Sequence, residues 1–388
     1  MYASEFDIDE QTTYLNHGSF GPSPRCVREA RQQWTEQLER QPMRFFCREM
    51  EEYLETSAAA LGGFLNAKPS RLALVDNATV GMNIAAASVE LQPGDEVLLT
   101  DHEYGAVRNI WQERCRAAGA RVVTVALPVP LQDDAAVAAV EAAINGNTRV
   151  LVMSHVTSPT AAILPVRSLC QLARKQGVLT AIDGPHAIAM LDVDLDGLGC
   201  DFYCASCHKW LCGSFGTGFL YVHPRHHHQV RCPIVSWGGS ISGRPPAWQD
   251  RLNWLGTRDP AGQLALPTAI NFMQQGALRE FRRHAHELIC DVRRRLLQLE
   301  GVGVFCTATE QDVVSMCAVE LPQPDNWEPG YHGHPDPLQA ELRDEYGIET
   351  PVASWNGRRF LRVSAHLYNT ASDMDRLLEA LSAARHLR

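Results

Sequence analysis

Seven short apolar runs punctuate the first two thirds of the chain: Leu72-Ala73-Leu74-Val75, Glu96-Val97-Leu98-Leu99, Arg121-Val122-Val123-Thr124-Val125, Val150-Leu151-Val152-Met153, Val178-Leu179-Thr180-Ala181-Ile182, Asp201-Phe202-Tyr203-Cys204-Ala205 and Phe219-Leu220-Tyr221-Val222. Runs that are apolar at consecutive positions, rather than at alternate ones, predict strands buried on both faces. Helical patterns fall between them, at about 80–89, 105–118, 133–144 and 166–177. This alternation predicts an α/β fold with a mostly parallel sheet covered by helices.

The flanks read differently. Residues 1–25 form an extended arm around Tyr14-Leu15-Asn16-His17-Gly18-Ser19-Phe20-Gly21-Pro22, where Gly and Pro impose a tight path. Residues 26–62 are helical, with Trp34, Leu38, Phe45, Phe46, Tyr53 and Leu54 among polar positions. After 222 the pattern loosens into a Pro/Gly/Trp-rich stretch to 262. A long helix then runs from about 264 to 299, with a break expected at Gln275-Gly276. From 300 on, strands (313–319, 360–364) and helices (338–346, 371–386) predict a smaller α+β domain. The division is therefore arm 1–25, large α/β domain 26–262, connecting helix region 263–299 and small domain 300–388.

Composition narrows the function. A net charge of −10, with no Lys/Arg block, argues against nucleic acid or an anionic membrane surface. No apolar run is long enough to span a bilayer, and the acidic, polar start Met1–Asp7 does not read as a signal peptide. Twelve cysteines without framework spacing in a chain of 388 residues fit reduced thiols and a cytoplasmic enzyme.

In open parallel sheets, ligands sit beyond the carboxyl ends of the strands. Thr79, Tyr104, Ser158, Asp183 and Lys209 each fall just after a predicted strand. Asn77-Ala78-Thr79 joins a strand to a helix start, where backbone N–H groups and the helix dipole favour a phosphate. Lysine forms a Schiff base with an aldehyde cofactor, and a carboxylate keeps a ring nitrogen protonated so that the ring becomes an electron sink. Asp183 and Lys209 therefore point to pyridoxal 5′-phosphate.

The order of motifs resembles the fold-type I enzymes of that cofactor, in the class V aminotransferase family that includes cysteine desulfurases, and within it the isopenicillin N epimerase-like branch. The resemblance rests on Asn77-Ala78-Thr79, Glu103-Tyr104-Gly105-Ala106-Val107, Asp183-Gly184-Pro185-His186, Ser206-Cys207-His208-Lys209, Gly256-Thr257-Arg258-Asp259, and Arg362 with Tyr368-Asn369. It implies a Schiff-base Lys209 that also moves the Cα proton, Asp183 on the pyridine nitrogen, and His186 on the phenolic oxygen. Ala78, Thr79, Ser206 and His208 are implied at the phosphate, with Ser158 beside the cofactor. Tyr104 is implied stacked on the ring, with His102 as runner-up. Arg362 is implied on the substrate carboxylate, with Asn16, His17 and Arg44 lining the substrate pocket. Thr257 is implied to reach the phosphate of the other subunit of a homodimer.

Other motifs compete. Cys204-Ala205-Ser206-Cys207-His208 matches a haem-attachment pattern, but Cys204 ends a predicted strand and Lys209 follows at once. His226-His227-His228 is a solvated loop rather than a metal site, because three adjacent residues cannot share a face. The glycines of Gly213–Gly218 serve a tight return into the next strand. No metal is expected.

For the reaction, epimerisation leads, β-elimination of a cysteine conjugate by a C–S lyase follows, and transamination is third. Residues 347–359 carry no cysteine, which disfavours a persulfide-forming desulfurase, and Ser158 stands where those enzymes commonly have Asn. Tyr104, His102 and His17 are the candidates for the second acid/base.

Overall fold

The structure is a computed structural model describing residues 2–306, 309–330 and 334–387. In the N-terminal arm, Thr13–Tyr14 form β1. All seven apolar runs become strands of one sheet: β2 (Leu72–Val75), β3 (Glu96–Thr100), β4 (Arg121–Val125), β5 (Thr148–Ser154), β6 (Leu179–Asp183), β7 (Phe202–Ser206) and β8 (Gly218–Val222). Their order is β2-β8-β7-β6-β5-β3-β4. Pairing is parallel from β7 through β4, whereas β8 is antiparallel to both β7 and β2. The reversal has a simple cause. Residues 207–217 contain no helix, and a parallel return needs a longer crossover.

Alternate side chains of each central strand enter different cores. Leu98, Leu151, Met153, Ile182 and Tyr203 face one way. Val97, Leu99, Val150, Val152, Ala181 and Phe202 face the other, against Met82 and Ile84 of the helix Ala78–Ser88 and Trp111 of the helix Gly105–Ala118. Each such Leu, Ile or Val contributes about 1.5–3 kcal/mol on burial, so the sheet is a rigid platform for whatever its ends carry.

Toward the C-terminus the remaining strands are β9 (Gly303–Val304), β10 (Met316–Glu320), β11 (Ile348–Glu349), β12 (Val352–Trp355) and β13 (Arg358–Ser364). Four of them form an antiparallel sheet in the order β12-β13-β10-β9, while β11 pairs in parallel with β1. The long helix breaks at the expected place, with Gly276 at φ 111°. Arg359 of β13 is fully buried and pairs with Asp336 through Nε (2.8 Å) and Nη2 (2.6 Å). It also donates to the carbonyls of Pro322, His386 and Leu387, fastening the C-terminal segment. Among the described residues no helix is long and apolar enough to cross a membrane.

Candidate active site

The carboxyl ends of the strands open onto a cavity of about 510 Å³. Its walls include Ala78, Thr79, Tyr104, Ser158, Asp183, His186, Ser206, His208 and Lys209, so nine of the sequence-derived candidates converge there. Each is delivered by a strand end, by the loop that follows it or, for Ala78 and Thr79, by the first turn of the next helix.

Asp183 ends β6 with its carbonyl held by the His155 N–H (2.8 Å). Burial pushes its carboxyl up to about 7, opposed by the charge of Lys209. The next residue must be glycine: a Cβ on Gly184 would lie 2.1 Å from the Tyr203 ring. Lys209 is partly buried, and desolvation first, then Arg362, pull its amine down to about 8, with Asp183 acting the other way. His186 Nε2 lies 3.1 Å from Lys209 Nζ.

The helix Ala78–Ser88 aims its N-terminus at the same cavity. Asn77 caps it by accepting from the Val80 N–H (3.0 Å), so the helix starts two residues before the expected Val80. The Ala78 N–H donates to the Ser206 hydroxyl (3.0 Å), joining this terminus to the end of β7. Gly218 permits the close approach, since a Cβ there would meet the Asn77 backbone at 2.8 Å. Backbone N–H groups, the Thr79 and Ser206 hydroxyls and the His208 imidazole make an anion-binding donor set.

Arg362 of β13 is 6% exposed. Its Nη1 donates to the Ser158 carbonyl (2.6 Å), and its Nη2 to Ser19 Oγ (2.8 Å) and Asn16 Oδ1 (3.2 Å). All these partners are neutral, and Nε has none among the described residues. Burial draws the guanidinium down to about 10, which leaves it a cation at neutral pH. Arg362 lines a second cavity of about 540 Å³ that shares Ser19, Tyr104 and Ser158 with the first. A buried cation with a free N–H and no carboxylate is arranged to receive an anion.

Several expectations need correction. His17 does not line the cavity. It is fully buried behind Lys209, where Nε2 faces the Lys209 carbonyl (3.1 Å) and Nδ1 the Tyr368 hydroxyl (2.9 Å). His102 also turns away: it stacks on Trp355 (4.3 Å between centroids) and bonds Thr160 (2.9 Å). Arg44 is exposed and pairs with Glu49. Thr257, expected at the other subunit's phosphate rather than its own, is exposed and outside its own chain's cavity, as that expectation allows, on a segment anchored by the Arg258–Asp76 ion pair.

The competing motifs resolve in physical terms. Cys204 and Cys207 are fully buried with thiols pushed up by burial, Cys207 to about 12, so no haem reaches them. The expected solvated loop is instead a short 3-10 helix, Pro224–Gln229, with His226 buried on Asp201, His227 facing the Val222 carbonyl and only His228 of the three exposed, so they diverge. The donor atoms of His17, Cys212 and His366 lie within 4.8 Å of one another. The two rings are stacked at 15°, however, so their in-plane lone pairs do not converge on a metal. Cys317 is buried in β10 with its thiol pushed up to about 12, unsuited to attack.

Residue-level reading missed four groups. Ser19 completes the Arg362 cage, and Phe20 and Phe215, both mostly exposed, rim the cavity mouth. Glu103, one residue before Tyr104, is buried and tied to Thr100 and Ser154, joining the ends of β3 and β5. Burial raises its carboxyl to about 7. Only the placement of Ser19 and Phe20 in the glycine-rich arm signalled any of this.

Comparison with known proteins agrees with this geometry. Residues 13–377 match the family described as aminotransferase class V. The isopenicillin N epimerase of Amycolatopsis lactamdurans is 38% identical over 97% of this chain and 96% of its own. A putative L-cysteine desulfhydrase 1 of Oryza sativa subsp. japonica is 29% identical over 98% of this chain and 84% of its own. The solved complex of the cystine C–S lyase C-DES with cysteine persulfide superimposes with a TM-score of 0.82 at 22% identity, covering 95% of this chain and 97% of the other. The donor set suits pyridoxal phosphate: a partly buried amine of lowered basicity, a buried carboxylate, and a helix N-terminus with two hydroxyls share one cavity. The chain belongs to the class V aminotransferase family and is an enzyme that uses pyridoxal 5′-phosphate.

Proposed function

We propose that this enzyme epimerises the α-carbon of an amino acid or a peptide-like relative, as its similarity to isopenicillin N epimerase suggests. The observation that carries the reading is Arg362, a buried cation without a counter-ion where a second cavity joins the one holding Lys209. An α-carboxylate on Arg362 would sit beside Ser19, Tyr104 and Ser158, the residues the two cavities share.

When bound, pyridoxal phosphate supplies an electron sink that lowers the cost of removing the Cα proton. In this reading Lys209 holds its aldehyde carbon, Asp183 its ring nitrogen and His186 its phenolic oxygen. Ala78, Thr79, Ser206 and His208 hold the phosphate, and Ser158 lies beside it. Lys209, with basicity lowered toward neutrality, moves the Cα proton on one face. Inversion needs a second group, and of Tyr104, His102 and His17 only Tyr104 reaches the cavity. Tyr104 is therefore the donor on the other face.

β-Elimination from a cysteine conjugate is the second reading, favoured by the rice relative and by the absence of any need for a protein thiol. Proton NMR in D₂O with L-amino acids and cysteine conjugates separates the two. Cα deuteration with the opposite stereoisomer and no keto acid supports epimerisation, whereas pyruvate with a released sulfur fragment supports the lyase.

We further infer a cytoplasmic homodimer in which Thr257 completes the phosphate site of the other subunit. Twelve free cysteines fit a reducing compartment, and the exposed Val235 (94%) and Trp237 (87%) fit burial in an interface. The four-part division of the chain at 25, 262 and 299 is supported by the separation of the seven-stranded sheet from β9, β10, β12 and β13.

A further inference from the structure

Trp210 follows Lys209 directly, and its ring is fully buried against Phe281 and His366. An indole nitrogen is a donor only. Here it points at Nδ1 of His186, 3.2 Å away. A donor facing Nδ1 requires a lone pair there, so the imidazole proton sits on Nε2. That Nε2 lies 3.1 Å from Lys209 Nζ. An N–H facing the amine needs a lone pair in turn, and only the uncharged amine has one.

We propose that Trp210 is a positioning residue that fixes His186 as the Nε2–H tautomer, which holds Lys209 as the free base and makes His186 a donor, never a proton acceptor, toward the cavity. This rests on the preceding reading only in taking Lys209 as the reacting amine.

The surroundings take the amine part of the way. Of the groups facing Lys209, Asp183 favours the ammonium, while burial first and then Arg362 bring it down to about 8, and the Nε2–H of His186 carries it further toward the free base. His186 is itself held neutral by burial first and then by Lys209 and Arg362. The indole is also prevented from swinging. The Lys209 carbonyl accepts from His17 Nε2 (3.1 Å), the Trp210 carbonyl faces His366 Nε2 (3.4 Å), and those two rings stack at 4.0 Å. Two consecutive carbonyls are thereby pinned from the arm and from the segment after β13.

The test uses the full chain without cofactor. Two-bond ¹H–¹⁵N correlation of ¹⁵N-histidine protein reports the tautomer of His186. Cyanate carbamoylation of Lys209 across pH, located by peptide mass spectrometry, reports the state of the amine. The wild type should show the Nε2–H pattern at pH 7. Trp210→Phe frees the ring to accept from the ammonium, so the Nδ1–H form should accumulate and the carbamoylation midpoint rise by about one pH unit. An Nδ1–H or doubly protonated His186 in the wild type, or an unmoved midpoint in the variant, would overturn the proposal. If Trp210→Phe does not fold, the wild-type spectrum alone decides. Neither readout depends on which reaction the enzyme catalyses.

Discussion

Replacing Arg362 by Met separates a substrate clamp from a structural cation. The guanidinium is buried and has only neutral partners: the Ser158 carbonyl, Ser19 and Asn16. A carboxylate would take the free Nε–H and displace one neutral partner from the fork, two charge-assisted bonds of about 1.5 kcal/mol each at the low end. Their loss, about 3 kcal/mol, lowers kcat/KM by about two orders of magnitude. Stability should move the other way or not at all, because an unpaired buried cation is replaced by an apolar chain of similar length. The assay is Cα–H loss in D₂O followed by NMR, beside thermal melts of the cofactor-free protein. The wild type should prefer an amino acid over its decarboxylated amine by about a hundredfold, and Arg362→Met should lose that preference. A structural ion pair predicts the reverse: a loss of about 3–5 kcal/mol in stability with activity largely kept. That pattern would refute the clamp.

Three further outcomes follow from the geometry. Lys209→Ala should cut Cα exchange by at least about 10²–10⁴-fold and abolish borohydride trapping of cofactor on the chain; retained exchange would remove Lys209 from the mechanism. Tyr104→Phe should preserve deuterium wash-in with retention while slowing appearance of the other stereoisomer by about 10²-fold, so an equal loss of both would argue against a second-face role. Arg359→Met leaves Asp336 buried without its bidentate partner and should cost about 3–5 kcal/mol in urea unfolding; a cost below about 1 kcal/mol would mean that water reaches Asp336.

The sheet was legible because each central strand is buried on both faces, which forces consecutive apolar residues, and because strand ends place the next residue at the ligand edge. Asp183, Ser206 and Lys209 needed only that logic. The direction of β8 was hidden, since apolar runs look alike in either orientation and only the missing crossover helix distinguishes them. Side-chain aim within loops was hidden too: His102 and Tyr104 are two residues apart, yet one stacks on Trp355 and the other reaches the cavity. His17 was placed at the pocket by the family resemblance. Its ring, however, passes beneath Lys209 to bond a carbonyl that no local pattern announces. Nothing in the sequence assigned Trp210 a partner, and its hydrogen bond to His186 emerges only in three dimensions.

The cage around Arg362 joins residues 346 positions apart, Asn16 and Arg362. A ribosome adding about 5–20 residues per second needs about 20–70 s to cover that distance. For nearly all of that interval the arm lacks β11 to pair with, and until its end it lacks the Arg362 guanidinium. The strand ends bearing Asp183 and Lys209 can be assembled long before the group that selects the substrate exists. A nascent chain thus passes through a stage able to meet the cofactor but unable to choose an amino acid, and fragments ending before β13 should remain in that state.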